Sequence, residues 1–342
     1  MSAQVVSRAA PASAPLVTVP SRPGAYAWWY FDALSDDGRT ALVAIFFVGS
    51  VFSPYYAARL ARGEEPEPSE HVAVNLAIYR DGKRPWWVFS EYGASRLEVR
   101  PRGMGVAASS FERDADGSFA LRIDDVRVGT RSRTLGEIRV TPSGDRTLTS
   151  GDVDLAGRAH RWRCAVPQAR VRATFTAPAL TFEGRGYHDV NAGDEPPGRA
   201  LASWSWGRAH HGDRTRVFFD TRGRDGRRAH LTFDTRAGRS AAILAPRVER
   251  AALGSWLLPV PDAFDVGQDE RGARMHLGPR RPLERAPFYQ RFAAPFPDPS
   301  GGPSVLGVGE HVDFSRFANP VVARMIALRV ARPDRGDFGT LP

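Results

Sequence analysis

Two short segments of the chain hold more reactive side chains than a folded core needs. One is His160-Arg161-Trp162-Arg163-Cys164, and the other is Gly184-Arg185-Gly186-Tyr187-His188-Asp189-Val190-Asn191-Ala192-Gly193. Successive side chains of an extended strand leave opposite faces. His160, Trp162 and Cys164 would therefore share one face of a strand, and Tyr187, Asp189 and Asn191 one face of another. These are groups that can bind a ligand or move a proton. Glycines on both sides of the second set leave room for a ligand, or a neighbouring backbone, to come close. A plainer reading stands beside this one, in which Asp189 and Asn191 close a turn and Trp162 and Tyr187 are core aromatics.

The elements that position these residues are expected to be strands. The 33 glycines and 27 prolines fall at short intervals between apolar segments, so the chain turns often. Ala41–Val48 and Val72–Tyr79 are compact apolar runs, whereas Phe119–Val128, Thr147–Asp154 and Val171–Phe175 alternate polar and apolar side chains. Alternation with period two buries one face and wets the other, as in antiparallel sheet. Arg216–Asp220, Ala229–Asp234, Ala241–Ala245 and Ala273–Leu277 are further short strand segments. Helical pattern is scarce. Its best case is near the end, where Asn319 can cap, Pro320 suits the first turn, and Val321, Val322, Met325, Ile326 and Leu328 recur at helical spacing before Pro333.

A chain of 342 residues suggests two domains. The turn-rich stretch Asp194–Gly198 separates two strand-rich halves. The expected architecture is all-β, with a mobile leader over residues 1–23, one domain over 24–190, a second over 191–342, and a short C-terminal helix. The longest apolar run, Ala41–Phe52, is interrupted by Gly49 and Ser50 and is too short for a membrane span, which needs about 20 residues.

Several chemistries are disfavoured. There is no Gly-x-Ser-x-Gly elbow and no phosphate loop, and Gly307-Val308-Gly309 lacks a third glycine. The eight histidines form no His-Glu-x-x-His, and the single Cys164 excludes a multi-cysteine metal site or an internal disulfide. The net charge of +9 comes almost wholly from arginines interleaved with 38 acids, with Lys83 the sole lysine. No nucleic-acid recognition motif accompanies it, so nucleic acid is not an expected partner.

Tyr187-His188-Asp189-x-Asn191-x-Gly193, followed by Trp204-Ser205-Trp206-Gly207-Arg208, resembles the bacterial carotenoid 1,2-hydratase (hydroxyneurosporene synthase) family. Trp28-Trp29-Tyr30-Phe31-Asp32, Phe52-Ser53-Pro54-Tyr55-Tyr56 and Gly307-x-Gly309-Glu310 with Arg316-Phe317 extend the likeness over residues 24 to 332. The resemblance implies two tandem lipocalin-like barrels or sandwiches. The wider superfamily also holds terpenoid cyclases and cycloaddition-promoting proteins, so fold alone does not name the reaction. Some relatives carry His and Trp where this chain has Val190 and Ala192, a departure expected to alter pocket shape or substrate preference while leaving Asp189 and Asn191 in place.

The resemblance further implies addition of water to the terminal C1=C2 bond of an acyclic carotene such as neurosporene or lycopene, with no cofactor and no metal. Hydroxyl on the more substituted carbon requires protonation at C2 and a tertiary cation at C1. An unactivated alkene is a weak base, so the acid must be a carboxyl held neutral by burial. Asp189 is the expected acid. Trp162 and Tyr187 are the expected cation stabilisers, each aromatic face contributing about 0.5 to 2 kcal/mol. His160 either orients Asp189 or deprotonates the attacking water. Asn191, Trp204, Trp206 and Tyr55 are expected along the substrate. An apolar substrate and a basic surface fit a cytoplasmic protein peripheral to the inner membrane. A cyclase on the same fold, which conserves substrate mass, and a non-catalytic carrier, which binds without turnover, remain the alternatives.

Overall fold

The computed structural model describes residues 16–144, 153–156, 159–235, 239–243, 251–253, 255–257, 259–261 and 265–340. The chain is mostly β, with 56% strand and 12% helix, as the dense turns and alternating segments predict. It divides into two compact units. The first holds the described residues up to Pro196, except 153–156, together with Ala323–Thr340. The second holds Val153–Ala156 and Pro197–Val322.

The strands of the first unit are β1 (Tyr26–Ser35), β2 (Thr40–Val48), β3 (Val72–Arg80), β4 (Trp86–Tyr92), β5 (Leu97–Arg100), β6 (Gly103–Val106), β7 (Ser109–Arg113), β8 (Phe119–Val126) and β9 (Arg133–Pro142). After a two-residue strand of the second unit, β10 (Val153–Asp154), come β11 (Arg161–Ala177) and β12 (Ala179–Gly193). The first unit's strands form one curled sheet in the order β4-β3-β2-β1-β12-β11-β9-β8-β7-β6-β5, with antiparallel neighbours throughout. Hairpins build both flanks, and the long pair β11–β12 returns to lie against β1. Helix α1 (Pro54–Ala61) follows β2 and is capped by the Ser53 hydroxyl.

Sequence pattern and burial agree strand by strand. In β1 every position is buried, and in β2 and β3 nearly every one, which is why these segments read as continuous apolar runs. In β9 buried and exposed positions alternate, because one of its faces meets solvent. The main apolar core lies on one face of the sheet and includes Trp29, Phe31, Phe46, Leu76, Phe111, Phe119 and Phe175. The opposite face of β1 to β4 is buried as well, but carries Tyr26, Trp28, Tyr30, Asp32, Phe47, Asn75, Phe89 and Glu91. A single sheet thus separates an apolar face from a polar, aromatic one.

Of the expected leader, residues 1–15 lie outside the described residues. The described part is anchored: Val17 is buried, Leu16 and Val19 pack on the core, and the Trp29 indole N–H donates to the Leu16 carbonyl at 3.3 Å. The strand expected over Thr147–Asp154 is described only at Val153–Asp154.

Helix α2 (Phe314–Phe317) and helix α3 (Pro320–Ala327) follow the last strand, and the Asn319 side chain caps α3 by accepting from the Val321 amide at 2.9 Å. The residues after α3 form a strap on the exposed edge of β4. Ala331 donates to the Phe89 carbonyl at 2.8 Å and accepts from the Glu91 amide at 2.9 Å, with Val330 and Ala331 fully buried. Arg329 lies over the Trp87 ring and Arg332 over the Tyr55 ring, and Arg96 pairs with Asp334 at 2.7 Å. An uncovered edge strand is a template for pairing with other chains, and the strap removes it. Deleting Arg329–Pro342 is expected to cost on the order of 3 kcal/mol in lost hydrogen bonds and cation–π contacts. Thermal unfolding with light scattering should show a lower, aggregation-prone transition, and an unchanged transition would mean the edge needs no cover.

The second unit is built on a sheet of seven strands: β13 (Leu201–His211), β14 (Arg214–Gly223), β15 (Arg228–Asp234), β16 (Arg239–Ile243), β21 (Arg281–Ala286), β22 (Tyr289–Phe296) and β23 (Val305–Asp313), in the order β16-β15-β14-β13-β23-β22-β21. Two small hairpins, β17 (Ala251–Leu253) with β18 (Pro259–Pro261) and β19 (Asp265–Gln268) with β20 (Arg274–His276), lie between β16 and β21 in sequence. Among the described residues no helix is long and apolar enough to cross a membrane.

Candidate active site on the β11–β12–β1 face

The hydrogen-bond register decides which of the candidate side chains meet. In β12, Asp189 lies opposite Tyr30 of β1 on one side and Cys164 of β11 on the other, while Asn191 lies between Trp28 and Trp162. Asp189 and Asn191 are thus interior strand residues paired on both sides, and the reading in which they close a turn does not hold. The glycines serve neighbouring backbone. A Cβ on Gly184 would strike the Leu34 carbonyl, one on Gly186 the Asp32 carbonyl, and one on Gly193 the Ala159 carbonyl and the Tyr26 ring.

Asp189 is 3% exposed and receives three side-chain donors. Trp162 Nε1–H donates to Oδ2 at 2.9 Å, the Tyr187 hydroxyl donates to Oδ2 at 2.9 Å, and Asn191 Nδ2–H donates to Oδ1 at 2.8 Å. A carboxyl oxygen facing the Asn191 side chain selects the amide nitrogen for that contact. All three donors are neutral. Burial, then the charge of Asp189, push the Tyr187 hydroxyl well above its ordinary range, and burial does the same to the Cys164 thiol. Tyr187 therefore keeps its proton, and its hydroxyl stays a donor at any working pH.

His160 occupies a different place. It precedes β11 beside Gly193, four residues along β12 from Asp189, a distance on the order of 13 Å at strand rise. Its Nδ1 bonds the Tyr26 hydroxyl at 2.7 Å, and its ring packs against Trp28 at 5.6 Å between centroids. Burial lowers its pKa to about 3, so the imidazole is neutral. Aromatic rings continue from there across the face: Tyr26 stacks on Trp28 at 5.0 Å, Trp28 meets Phe47 and Phe52, Phe47 stacks on Phe89, and Tyr30 meets Tyr187 edge-on.

The structure thus brings Trp162, Tyr187, Asp189 and Asn191 into direct contact and sets His160 at the end of the same face. The other three expected residues have described partners of their own. Trp204 and Trp206 belong to the second unit, where Trp204 packs edge-on against Phe314 and donates to Glu310, and Trp206 meets Phe219. Tyr55 sits on α1, its hydroxyl donating to Asp337 at 3.2 Å beneath Arg332. Val190 and Ala192 pack against the apolar core, on the side of the sheet away from Asp189, so their departure from some relatives changes the core and not the wall beside the carboxyl. Tyr26, Trp28, Tyr30 and Asp32 join the face although residue order alone gives them no site role. Their spacing of two within Tyr26–Asp32 is the signal that could have found them.

Burying neutral imidazoles makes the fold sensitive to acid. His188 donates from Nδ1 to the Tyr30 carbonyl, stacks on Phe31 at 4.0 Å, and has its pKa lowered to about 3 by burial, like His160. The unfolded imidazoles bind protons from about pH 6.5 downwards while the folded ones do not, so stability falls as pH drops through that range, by about 2 kcal/mol for each at pH 5. Asp125, raised to about 6 by burial, acts in the opposite sense: the folded state holds its proton more tightly, a contribution lost as pH rises through 6. Between pH 7 and pH 5 these three groups together give a net loss of about 3 kcal/mol, and His311, lowered to about 4 by burial, adds to it in the same sense. Thermal unfolding across that range checks it, and His188→Gln is expected to flatten the slope.

The family model described as Carotenoid hydratase CrtC matches residues 44–339. An acyclic carotenoid 1,2-hydratase from Thiocapsa roseopersicina is 34% identical over 327 residues, covering 94% of this chain and 76% of the relative. One from Rubrivivax gelatinosus is 35% identical over 289 residues, covering 81% and 66%. Among solved structures, a protein assigned as AttH from Nitrosomonas europaea superposes with a TM-score of 0.57 at 16% identity, covering 84% of this chain and 92% of that one, which shows a shared fold.

Proposed function

The chain belongs to the carotenoid hydratase family and is a hydro-lyase, and from that premise we propose that it adds water across the C1=C2 bond of an acyclic carotene, neurosporene or lycopene being the expected substrates, with Asp189 as the proton donor. The observation that carries this reading is a buried carboxyl held by three neutral donors, Trp162, Tyr187 and Asn191. Two physical demands meet there. Burial away from water disfavours the charged carboxylate, so the group can hold a proton until an alkene is seated over it. Once that proton moves to C2, the new carboxylate finds donors already aimed at it, which stabilises the charge that develops in the transition state.

The cation at C1 needs neighbours that attract it without bonding to it. The faces of Trp28, Tyr30 and Trp162 meet that need beside the carboxyl. His160, neutral and bonded to Tyr26, acts in this scheme as a positioning residue that holds the Tyr26–Trp28 stack. Water captures the cation at C1 and yields the tertiary alcohol.

An apolar polyene must be drawn from a lipid phase, and the second unit offers a surface for it. Leu253, Trp256 and Leu257 are exposed by 69%, 55% and 69%, and Arg316 donates to the carbonyls of both Trp256 and Leu257. An apolar tip beside arginine on a chain of charge +9 suits anionic lipid on the cytoplasmic side of the inner membrane. Cosedimentation with anionic but not with neutral vesicles, weakened by Trp256→Ser, is the expected result.

The central test is the reaction itself. Purified protein given lycopene in detergent or liposomes should yield a product heavier by one water. An isomer of unchanged mass would point to cyclisation, and binding without turnover to a carrier.

A further inference from the structure

The polar face holds a second buried carboxyl that the acid mechanism leaves unused. Asp32 of β1 is 2% exposed and accepts from the Tyr30 hydroxyl at 3.0 Å. The arrangement repeats that of Asp189, which accepts from the Tyr187 hydroxyl at 2.9 Å. In each strand a tyrosine donates to the aspartate two residues further on. The strands run antiparallel with Tyr30 opposite Asp189 and Asp32 opposite Tyr187, so the two tyrosine–aspartate pairs form a checkerboard of four adjacent side chains. The two carboxyls occupy its diagonal, where backbone positions are about 7 to 8 Å apart.

We propose that Asp32 is a second catalytic residue, the base that takes the proton from the water attacking C1. The proposal rests on the hydration reading with Asp189 as acid. Hydration places its two proton transfers on adjacent carbons, one delivering to C2 and one removing from the water at C1. Carboxyls carried on positions this far apart leave room for a reacting group and one water between acid and base, the division of labour that paired carboxyls use in other hydrolytic chemistry. His160 stands further along the strand from Asp189, its Nδ1 held by the Tyr26 hydroxyl at 2.7 Å.

The balance closes without a further reactant. The Asp189 O–H bond breaks and the alkene π pair forms the C2–H bond. A water lone pair forms the C1–O bond, and one O–H bond of that water then breaks, passing its proton to the Asp32 carboxylate. Asp189 ends ionised and Asp32 protonated, and exchange with solvent restores both when product leaves. The sum is one water added.

The test uses the full chain with lycopene, measuring the hydrated product with and without added formate, a small carboxylate that can occupy the place of a deleted side chain. Asp32→Ala is expected to lose hydration by about a hundredfold and to regain about tenfold with formate. Asp189→Asn should stay inactive with and without it. Asp32→Glu, which keeps a carboxylate, should restore part of the hydration. The proposal is overturned if Asp32→Ala hydrates within about threefold of the parent, or if it unfolds at the parent's temperature yet neither formate nor Asp32→Glu restores hydration, the pattern of a structural role. Should Asp32→Ala not fold, Asp32→Glu decides: a folded Asp32→Glu variant with no hydration overturns the proposal, and one with partial hydration upholds it. Hydration by Asp189→Asn would overturn the acid assignment and is a separate outcome.

Discussion

Asp189→Asn is expected to abolish hydration, with a loss on the order of 10⁴-fold or more, while leaving the protein folded. The rate effect is large because the alkene has no other means of gaining a proton. General acids contribute about 10² to 10⁴ when water can partly replace them, and a carotene end seated on a dry wall has no such substitute. The fold should survive because asparagine matches aspartate in shape. Its carbonyl oxygen can take the place of Oδ2 and accept from Trp162 and Tyr187. Its amide then faces Asn191, which can rotate to present oxygen. The measurement pairs a product assay with thermal unfolding. An active, folded Asp189→Asn variant would remove Asp189 from the role of acid, and an unfolded one would show the carboxyl to be structural.

The second large effect is expected from the donors. Tyr187→Phe keeps the ring and deletes one of two hydrogen bonds on Oδ2. Trp162→Phe deletes the other. Removing one preorganised donor to a developing oxyanion typically costs a factor of about 10² to 10³, and each single variant is expected in that range on kcat. The double variant should lose less than the product of the two, because both donors serve one oxygen and the remaining partners readjust. The pH profile carries a further sign. Donors favour the ionised carboxyl, so deleting one favours the protonated form. The limb on which activity falls with rising pH should therefore move to higher pH in Tyr187→Phe. A rate unchanged within about threefold would show that these bonds hold the strand pair and not the reacting charge.

Much of this site was legible in residue order. Alternation placed Tyr187, Asp189 and Asn191 on one face, and Trp162 with Cys164 on another. The structure gives Trp162, Tyr187 and Asn191 a common partner in Asp189. The compact runs at Ala41–Val48 and Val72–Tyr79 became strands covered on both sides, as unbroken apolar pattern requires. What stayed hidden was the neighbour. Tyr30 and Asp189 lie far apart in the chain and opposite one another in the sheet, and no local pattern encodes that pairing. The spacing of Trp204 and Trp206 announced a strand correctly, and that strand belongs to the second unit, where the two rings pack against Phe314 and Phe219.

The sequence by itself determined which side chains of each strand point together, because that follows from the period of the backbone and needs no partner. It also determined that the Asp189 carboxyl would share a face with Tyr187 and Asn191, since those residues alternate within one segment. Only the tertiary structure decided that β1 lies against β12, and with it that Asp32 and Tyr30 stand beside Tyr187 and Asp189 while His160 stands away from them. Register is a choice among hydrogen-bonded ladders joining distant parts of the chain, and a shift of one residue would turn Asp189 to the opposite face. The packing of both faces of β1 and β12 holds that choice in place, and with it the chemistry.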